Sequence, residues 1–309
     1  MANNHMKVMT KSNVLKKNRS SNPNGKKGFF LVLPTLIIMG ITVFYPILWS
    51  LWLSFSSTNM NMTEFKFVGL ENYLKLLQSS EFGKVAVQTF GFVVTTIFLE
   101  LLIGMVVAIV LNRSLPGTKF FKLIFTLPLM IAPVVSGLQW RWLFADQYGA
   151  INYILSAFGI KGLLWMVDPF AAKIAVLISN LWLATPFVIL VLLASMASLP
   201  EELYEAAKID GAKSYQIFYY ITLPLLKPAI LLILIVRLAD AFRVFDIVYI
   251  LTQGGPGGAT EVLSTYIYKM IFTNMQFGEG AAASFIVMII VAVISYISFR
   301  LLRVKEGEV

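Results

Sequence analysis

Six stretches of this chain are long and apolar enough to cross a lipid bilayer, and nothing else restricts its possible folds so severely. A spanning helix needs about 20 mostly apolar residues. The qualifying stretches cover roughly 29–55, 85–111, 121–144, 172–198, 228–251 and 281–300. Inside hydrocarbon, every backbone N–H and C=O must pair within the protein, which leaves helices or closed barrels. Barrel strands need only about 9–11 alternating residues, and these runs are far longer. The expected fold is therefore all-α and integral to a membrane, with six transmembrane helices.

Charge supports that reading. Only 13% of residues are charged, and mean hydropathy is +0.78, whereas a soluble domain carries about 25% charged residues. The net charge of +9 is unevenly placed. Sixteen Lys and Arg fall in one alternating set of water-facing segments: the N-terminal tail, the 112–120 loop with Lys122, the 199–227 loop and the C-terminal tail. The other set holds six, and three more (Arg141, Arg237, Arg243) lie inside the spans. The richer set faces the cytoplasm by the positive-inside rule, which puts both termini inside. Positive charge that orients helices is a better account than nucleic-acid binding, so no nucleic-acid partner is expected.

The first 28 residues hold seven Lys and Arg and no acid. They read as a disordered basic cytoplasmic tail over 1–28. The apolar run behind it is too long for a signal-peptide core and lacks an obvious cleavage site. A transmembrane domain over 29–303 and a short tail over 304–309 complete the expected organisation. The chain has no cysteine, and its one histidine, His5, lies in the tail. Disulfides, thiolate metal sites and a His general base are thereby set aside, and an intramembrane enzyme has no nucleophile and base to work with.

One segment between two spans is charged and strongly helix-forming. It runs Leu199-Pro200-Glu201-Glu202-Leu203-Tyr204-Glu205-Ala206-Ala207-Lys208-Ile209-Asp210-Gly211-Ala212-Lys213, then Ile221-Thr222-Leu223-Pro224. Pro200 suits a helix start, and the three glutamates favour its positive end. Gly211 allows a sharp turn after Asp210. A second helix begins at Ser214, and Pro224 and Pro228 interrupt the backbone before the next span. By pattern alone this is a compact helix-turn-helix or an ordinary solvated loop.

The segment closely resembles the EAA loop of permease subunits in binding-protein-dependent ABC importers, where a short helix-turn-helix docks into the ATPase. The resemblance extends through Phe44-Tyr45-Pro46, Phe67-Val68-Gly69-Leu70-Glu71-Asn72-Tyr73, Leu127-Pro128, Phe245-Asp246-Ile247-Val248-Tyr249, Thr252-Gln253-Gly254-Gly255-Pro256 and Phe277-Gly278-Glu279-Gly280-Ala281-Ala282. These are similar to the carbohydrate branch, nearest the maltose-type and glycerophosphate-type permeases. The chain departs from the maltose type in lacking that subunit's large external domain and extra N-terminal helices.

The resemblance implies a type I ABC importer permease fold in the bacterial cytoplasmic membrane. It implies a second homologous permease, two cytoplasmic ABC ATPase subunits and an extracytoplasmic solute-binding protein. ATP and magnesium would be bound by the ATPase partners, since this chain has no G-x-x-x-x-G-K-[ST] phosphate loop and needs no cofactor of its own. It assigns ATPase coupling to Glu205, Ala206, Ala207, Asp210 and Gly211. An ion-coupled secondary transporter would also explain six spans with interior charges, but not this loop.

Ionisable residues within a bilayer are costly and mark functional positions. The fifth span carries Arg237, Asp240, Arg243 and Asp246. Arg237 either attracts an acidic group of a substrate, such as a uronate, or pairs structurally with Asp240. Arg243 and Asp246 read as structural or gating residues. The fourth span offers Asn180, Trp182, Ala184 and Phe187, which the resemblance places around a sugar. Aromatic faces suit a pyranose and amides suit its hydroxyls. The competing reading is helix packing. Glu100, alone in the second span, reads as an interior hydrogen-bonding group, and Arg141 as an interfacial one. Tryptophans 49, 52, 140, 142 and 165 fall near the outer span ends, where aromatic anchors belong.

Overall fold

In the computed structural model the chain is almost wholly helical. It describes residues 24–113 and 116–302, with the side chains of 31–113 and 116–300. Most of the expected basic tail, and the C-terminal tail, lie outside the described residues. The chain divides into two compact units, residues 1–50 and 51–309. In the first, helix α1 (Asn24–Met39) begins within the segment assigned to the tail. A π-helical turn (Gly40–Phe44) follows, and then α2 (Tyr45–Ser54), which ends in the second unit. Pro46 has no N–H to give the carbonyl four residues earlier, and the widened turn lies where the ladder would otherwise miss that bond.

The second unit opens with a short antiparallel hairpin, β1 (Ser56–Thr58) and β2 (Phe65–Phe67), in which Ser57 faces Lys66. Helix α3 (Glu71–Gln78) follows the turn at Gly69. It is pinned by Asn72, whose Nδ2 donates to the carbonyls of Ser54 and Ser56, each at 2.9 Å. Then comes α4 (Ser80–Leu111), whose N-cap hydroxyl, Ser79 Oγ, accepts from Phe82 N at 3.2 Å.

The third expected span, 121–144, is not one helix. It is α5 (Thr118–Thr126), a 3₁₀ turn (Leu127–Met130) and α6 (Pro133–Leu143), with a bend of 105°. Two prolines explain the break. Pro128 starts the 3₁₀ turn, and Pro133 starts α6 while holding Ala132 extended, at φ −63° and ψ 139°; a residue before proline is pushed out of the helical region. Helix α7 (Ala150–Ala157) lies in the next connection, and α8 (Pro169–Met196) begins at Asp168, whose Oδ1 accepts from Ala171 N at 2.7 Å.

The charged connection forms α9 (Glu201–Ile209), α10 (Ser214–Ile217), a π turn (Phe218–Thr222) and α11 (Leu223–Leu225). The helix expected to begin at Ser214 is present and runs through Leu225, with a π turn inside it. Helix α12 (Lys227–Phe242) follows, bent 62° from that arm, then α13 (Asp246–Leu251), α14 (Leu263–Tyr268), a π turn (Lys269–Thr273) and α15 (Phe277–Leu302). Among the described residues, four continuous helices are long and apolar enough to span, and six spans result when each bent pair counts as one.

The core lies where α4, α8 and α12 meet. Ala108, Val188, Leu192 and Ile233 are fully buried together. Gly104 lets α4 approach α8 closely: a Cβ there would collide with the Val188 side chain. The outer surface is apolar instead of charged, with Val87, Phe98, Val106 and Phe120 all exposed. In water such a surface would aggregate; in lipid it is already solvated.

The connection after α13 is tied to the start of α4 and to the π turn after α14 by polar contacts. Gln88 Nε2 donates to the carbonyls of Gly258 (3.1 Å) and Glu261 (2.7 Å), and Lys269 pairs with Glu261. The glycine-rich turn at 254–258 uses left-handed backbone at Gly254, Gly257 and Gly258, a region open chiefly to glycine. Trp165 departs from the anchor role. It is buried with its ring 4.8 Å from Phe144, which in turn stacks on Trp140 at 5.3 Å. Trp142 remains exposed as expected.

Candidate functional site

Two charged regions stand out, and they are built on opposite principles. The first is a cavity of about 460 Å³ between α8 and α12, within the size range of small-molecule sites. Asn180, Ala184 and Phe187 line it from α8 at spacings of four and three, which puts them on one helix face. Arg237, Asp240 and Arg243 line it from α12 at spacings of three. Helix α12 then breaks at Arg243–Phe245, and the break brings Phe245 and Asp246 into the same wall.

Trp182 does not belong to this group. Two residues from Asn180, it points to the opposite side of α8. There it lines a separate apolar cavity with Phe125, Pro128 and Thr185, its ring edge-on to Trp140 at 5.8 Å. The expectation that Trp182 joins Asn180, Ala184 and Phe187 in one group is corrected on this point. The reason is helical: two residues advance about 200° around a helix, four advance about 40°.

Arg237 is where buried charge concentrates. Its Nε donates to Glu100 Oε2 at 2.7 Å and its Nη2 to Glu100 Oε1 at 3.0 Å, a two-pronged pairing between α12 and α4. Its Nη1 donates to Asp240 Oδ2 at 3.1 Å. Glu100 is fully buried, Arg237 is 9% exposed, and the Asp240 side chain is half exposed. The expected Arg237–Asp240 pair is therefore real but secondary. Sequence reasoning missed Glu100 as the main partner. The available signal was one acid in the second span with no partner of its own there, against a fifth span rich in charge. Arg141 is also tied within the protein, its Nη1 donating to the Ile250 carbonyl at 3.0 Å.

The second region is the α9–α10 helix-turn-helix. Glu201 and Glu202 sit in the first turn of α9 and Lys208 in its last, each at the end its charge favours. Gly211 adopts φ +76°, and the turn closes through Ala212 N to Ala207 O at 2.9 Å and Asp210 N to Ala206 O at 3.0 Å. The two arms are joined by Tyr204 OH and Thr222 Oγ1 at 3.1 Å. Glu205, Ala206, Asp210 and Gly211 are exposed and Ala207 is half-buried. No residue of α9 or α10 is buried. Exposed Ile209, Tyr215, Tyr219 and Tyr220 crown it, an apolar and aromatic tip on a charged stem.

Known proteins carry the same architecture. Residues 100–306 match the family described as binding-protein-dependent transport system inner membrane component. The chain belongs to that family. Among its relatives is the trehalose/maltose transport system permease protein of Thermococcus litoralis, 36% identical over 92% of this chain and 94% of that one. Another is the probable starch degradation products transport system permease protein of Thermoanaerobacterium thermosulfurigenes, 30% identical over 92% and 97%. A crystal structure of a bacterial ABC transporter involved in the import of the acidic polysaccharide alginate superimposes with a TM-score of 0.79, at 24% identity over 92% and 97% of the two chains. That likeness fixes the fold as the type I importer permease fold. The chain is thus a multi-pass permease subunit of an ABC importer.

Proposed function

We propose that this permease forms half of the translocation path of a sugar or oligosaccharide importer in the bacterial cytoplasmic membrane. It pairs with a second homologous permease. Two ATPase subunits bind ATP and magnesium and engage its exposed α9–α10 element from the cytoplasm, where both termini also lie. An external solute-binding protein delivers the sugar. Relatives named for trehalose/maltose and for starch degradation products support the substrate class. The structure of the alginate importer bound to a substrate-loaded periplasmic protein supports the delivery route for this fold.

One observation carries the mechanical part of the reading. The α9–α10 element runs through only α11 and one bend into α12, the helix that bears Arg237 and Asp240. A rigid push on the exposed end therefore reaches the cavity wall along a continuous piece of chain. Ala184 leaves room beside Phe187, whose ring suits the apolar face of a pyranose, while Asn180 and Asp240 offer hydrogen-bonding groups to hydroxyls.

Replacement of Gly211 by proline tests the coupling. Proline requires φ near −65°, whereas Gly211 sits at +76° and its N–H donates to the Lys208 carbonyl at 3.1 Å. Glu205→Lys reverses a charge on the docking face without touching the core. In both variants, sugar uptake and substrate-stimulated ATP hydrolysis by the full transporter should fall while the permease still reaches the membrane. Unchanged uptake and hydrolysis in both would remove the coupling role.

A further inference from the structure

The cavity is walled by charges, so the kind of sugar it admits depends on how those charges are balanced. Arg237 is the cation at its inner wall, and it looks at first like a receptor for an acidic sugar. The geometry says otherwise. Nε and Nη2 each donate to an oxygen of Glu100 and Nη1 donates to Asp240, which engages three of the five N–H groups and the whole Nε–Nη2 edge. A two-pronged carboxylate pairing is what a uronate would need from a guanidinium, and Glu100 already occupies it from the buried side.

The balance of charge points the same way. The cavity lining carries two carboxylates (Asp240, Asp246) and two guanidinium groups (Arg237, Arg243), formally balanced, and Glu100 pairs with Arg237 from behind the wall. Asp240 Oδ2 is engaged by Arg237, while Oδ1 has no hydrogen-bond partner among the described residues. The half-exposed side chain thus presents an acceptor to the cavity. Across from it, Asn180 is 6% exposed and its Nδ2 lacks a partner among the described residues. An acceptor on one wall and an amide on the other suit hydroxyl groups, and a like charge brought against the acceptor is penalised.

We propose that Glu100 cancels the charge of Arg237 and holds it against Asp240, and so sets the cavity for neutral, hydroxyl-rich solutes and against acidic sugars. Glu100 touches no solute; it is a positioning residue acting through Arg237 and Asp240. The inference rests on the carbohydrate-import reading above. Sharing a fold with an alginate importer does not oppose it, because a fold does not carry its site's chemistry.

The test uses the assembled transporter in lipid nanodiscs, without binding protein, so that the cavity alone selects. Binding is titrated with neutral probes (maltose, trehalose, maltotriose) and acidic ones (trimers of mannuronate and of galacturonate). The wild type should bind a neutral probe in preference to both uronates. Glu100→Gln leaves the Arg237 charge uncancelled, and the ratio of uronate to neutral binding should rise about tenfold, roughly the effect of 1.4 kcal/mol. The ratio is insensitive to loss of folded protein, which a purely structural role would cause. The double variant E100Q/R237Q removes both charges but keeps polar partners. It should recover neutral binding to within about threefold of wild type, since coupled sites fail to add. If the wild type binds uronates as well as neutral sugars, and R237Q or R243Q abolishes that binding, the inference is overturned while carbohydrate import stands. Binding of neither class would overturn the sugar cavity itself and the inference with it.

Discussion

The Glu100–Arg237–Asp240 cluster and the α9–α10 element use charge in opposite ways. In the cluster, a fully buried carboxylate and a nine-tenths buried guanidinium pair at 2.7 and 3.0 Å across two helices. In the helix-turn-helix, Glu201, Glu202, Glu205 and Lys208 all stand exposed, with Glu201 and Glu202 in the first turn of one short helix and Lys208 in its last. Burial turns pairing from an option into a requirement, because an ion stranded in a low dielectric has no solvent to fall back on. Exposure leaves charge free for a partner surface, since water already satisfies it. One region buries its charge within the protein, and the other leaves it on the surface.

Breaking the buried side should have the largest effect. Arg237→Ala leaves Glu100 unpaired, and removing one partner of a buried pair costs about 3–5 kcal/mol. Thermal unfolding of the purified transporter should show it, together with a lower yield in the membrane. Removing both charges in E100Q/R237A should recover much of that loss, and two variants of equal stability would show that the pair is not coupled.

A smaller effect is expected at the hinge of the exposed element. Tyr204→Phe removes the hydroxyl that meets Thr222 Oγ1, a neutral hydrogen bond worth about 0.5–1.5 kcal/mol. Hydrogen exchange of the amides in α9 and α10 should quicken while those of α4 and α8 stay as they were. Equal quickening in both places would mean that the element is not an independent unit. The smallest effect belongs to the fully exposed Lys75–Glu71 pair at 2.9 Å. Lys75→Ala should leave the unfolding midpoint unchanged, as exposed ion pairs are screened. A clear shift there would undo the contrast between buried and exposed charge.

The helix-turn-helix was readable from sequence because its causes are local. Proline before the first turn, glutamates within it and a left-handed glycine after it act over a few residues. The cavity was readable only in part. Asn180, Ala184 and Phe187 share a face as their spacing requires, while Trp182 leaves it for Trp140 by the same geometry. The break in the third span was foreshadowed by Pro128 and Pro133, yet a hydropathy window averages over a bend and registers one continuous apolar run. Trp165 shows a related limit. Its position near a span end suited an interfacial anchor, but Phe144 and the Asn152 amide, which accepts from its Nε1 at 2.8 Å, draw it inward.

By itself, the sequence determined that this chain lives in lipid, that its spans are helical and that one charged knuckle stands out from them. Those properties follow from composition, length and short-range backbone chemistry, which need no knowledge of what packs where. Only the tertiary structure decided that Glu100 faces Arg237, 137 positions away, and so which charges remain for a solute. Hydropathy counts a buried carboxylate and a buried guanidinium as two separate penalties. Their cancellation depends on a distance between helices, and distance is what packing alone supplies.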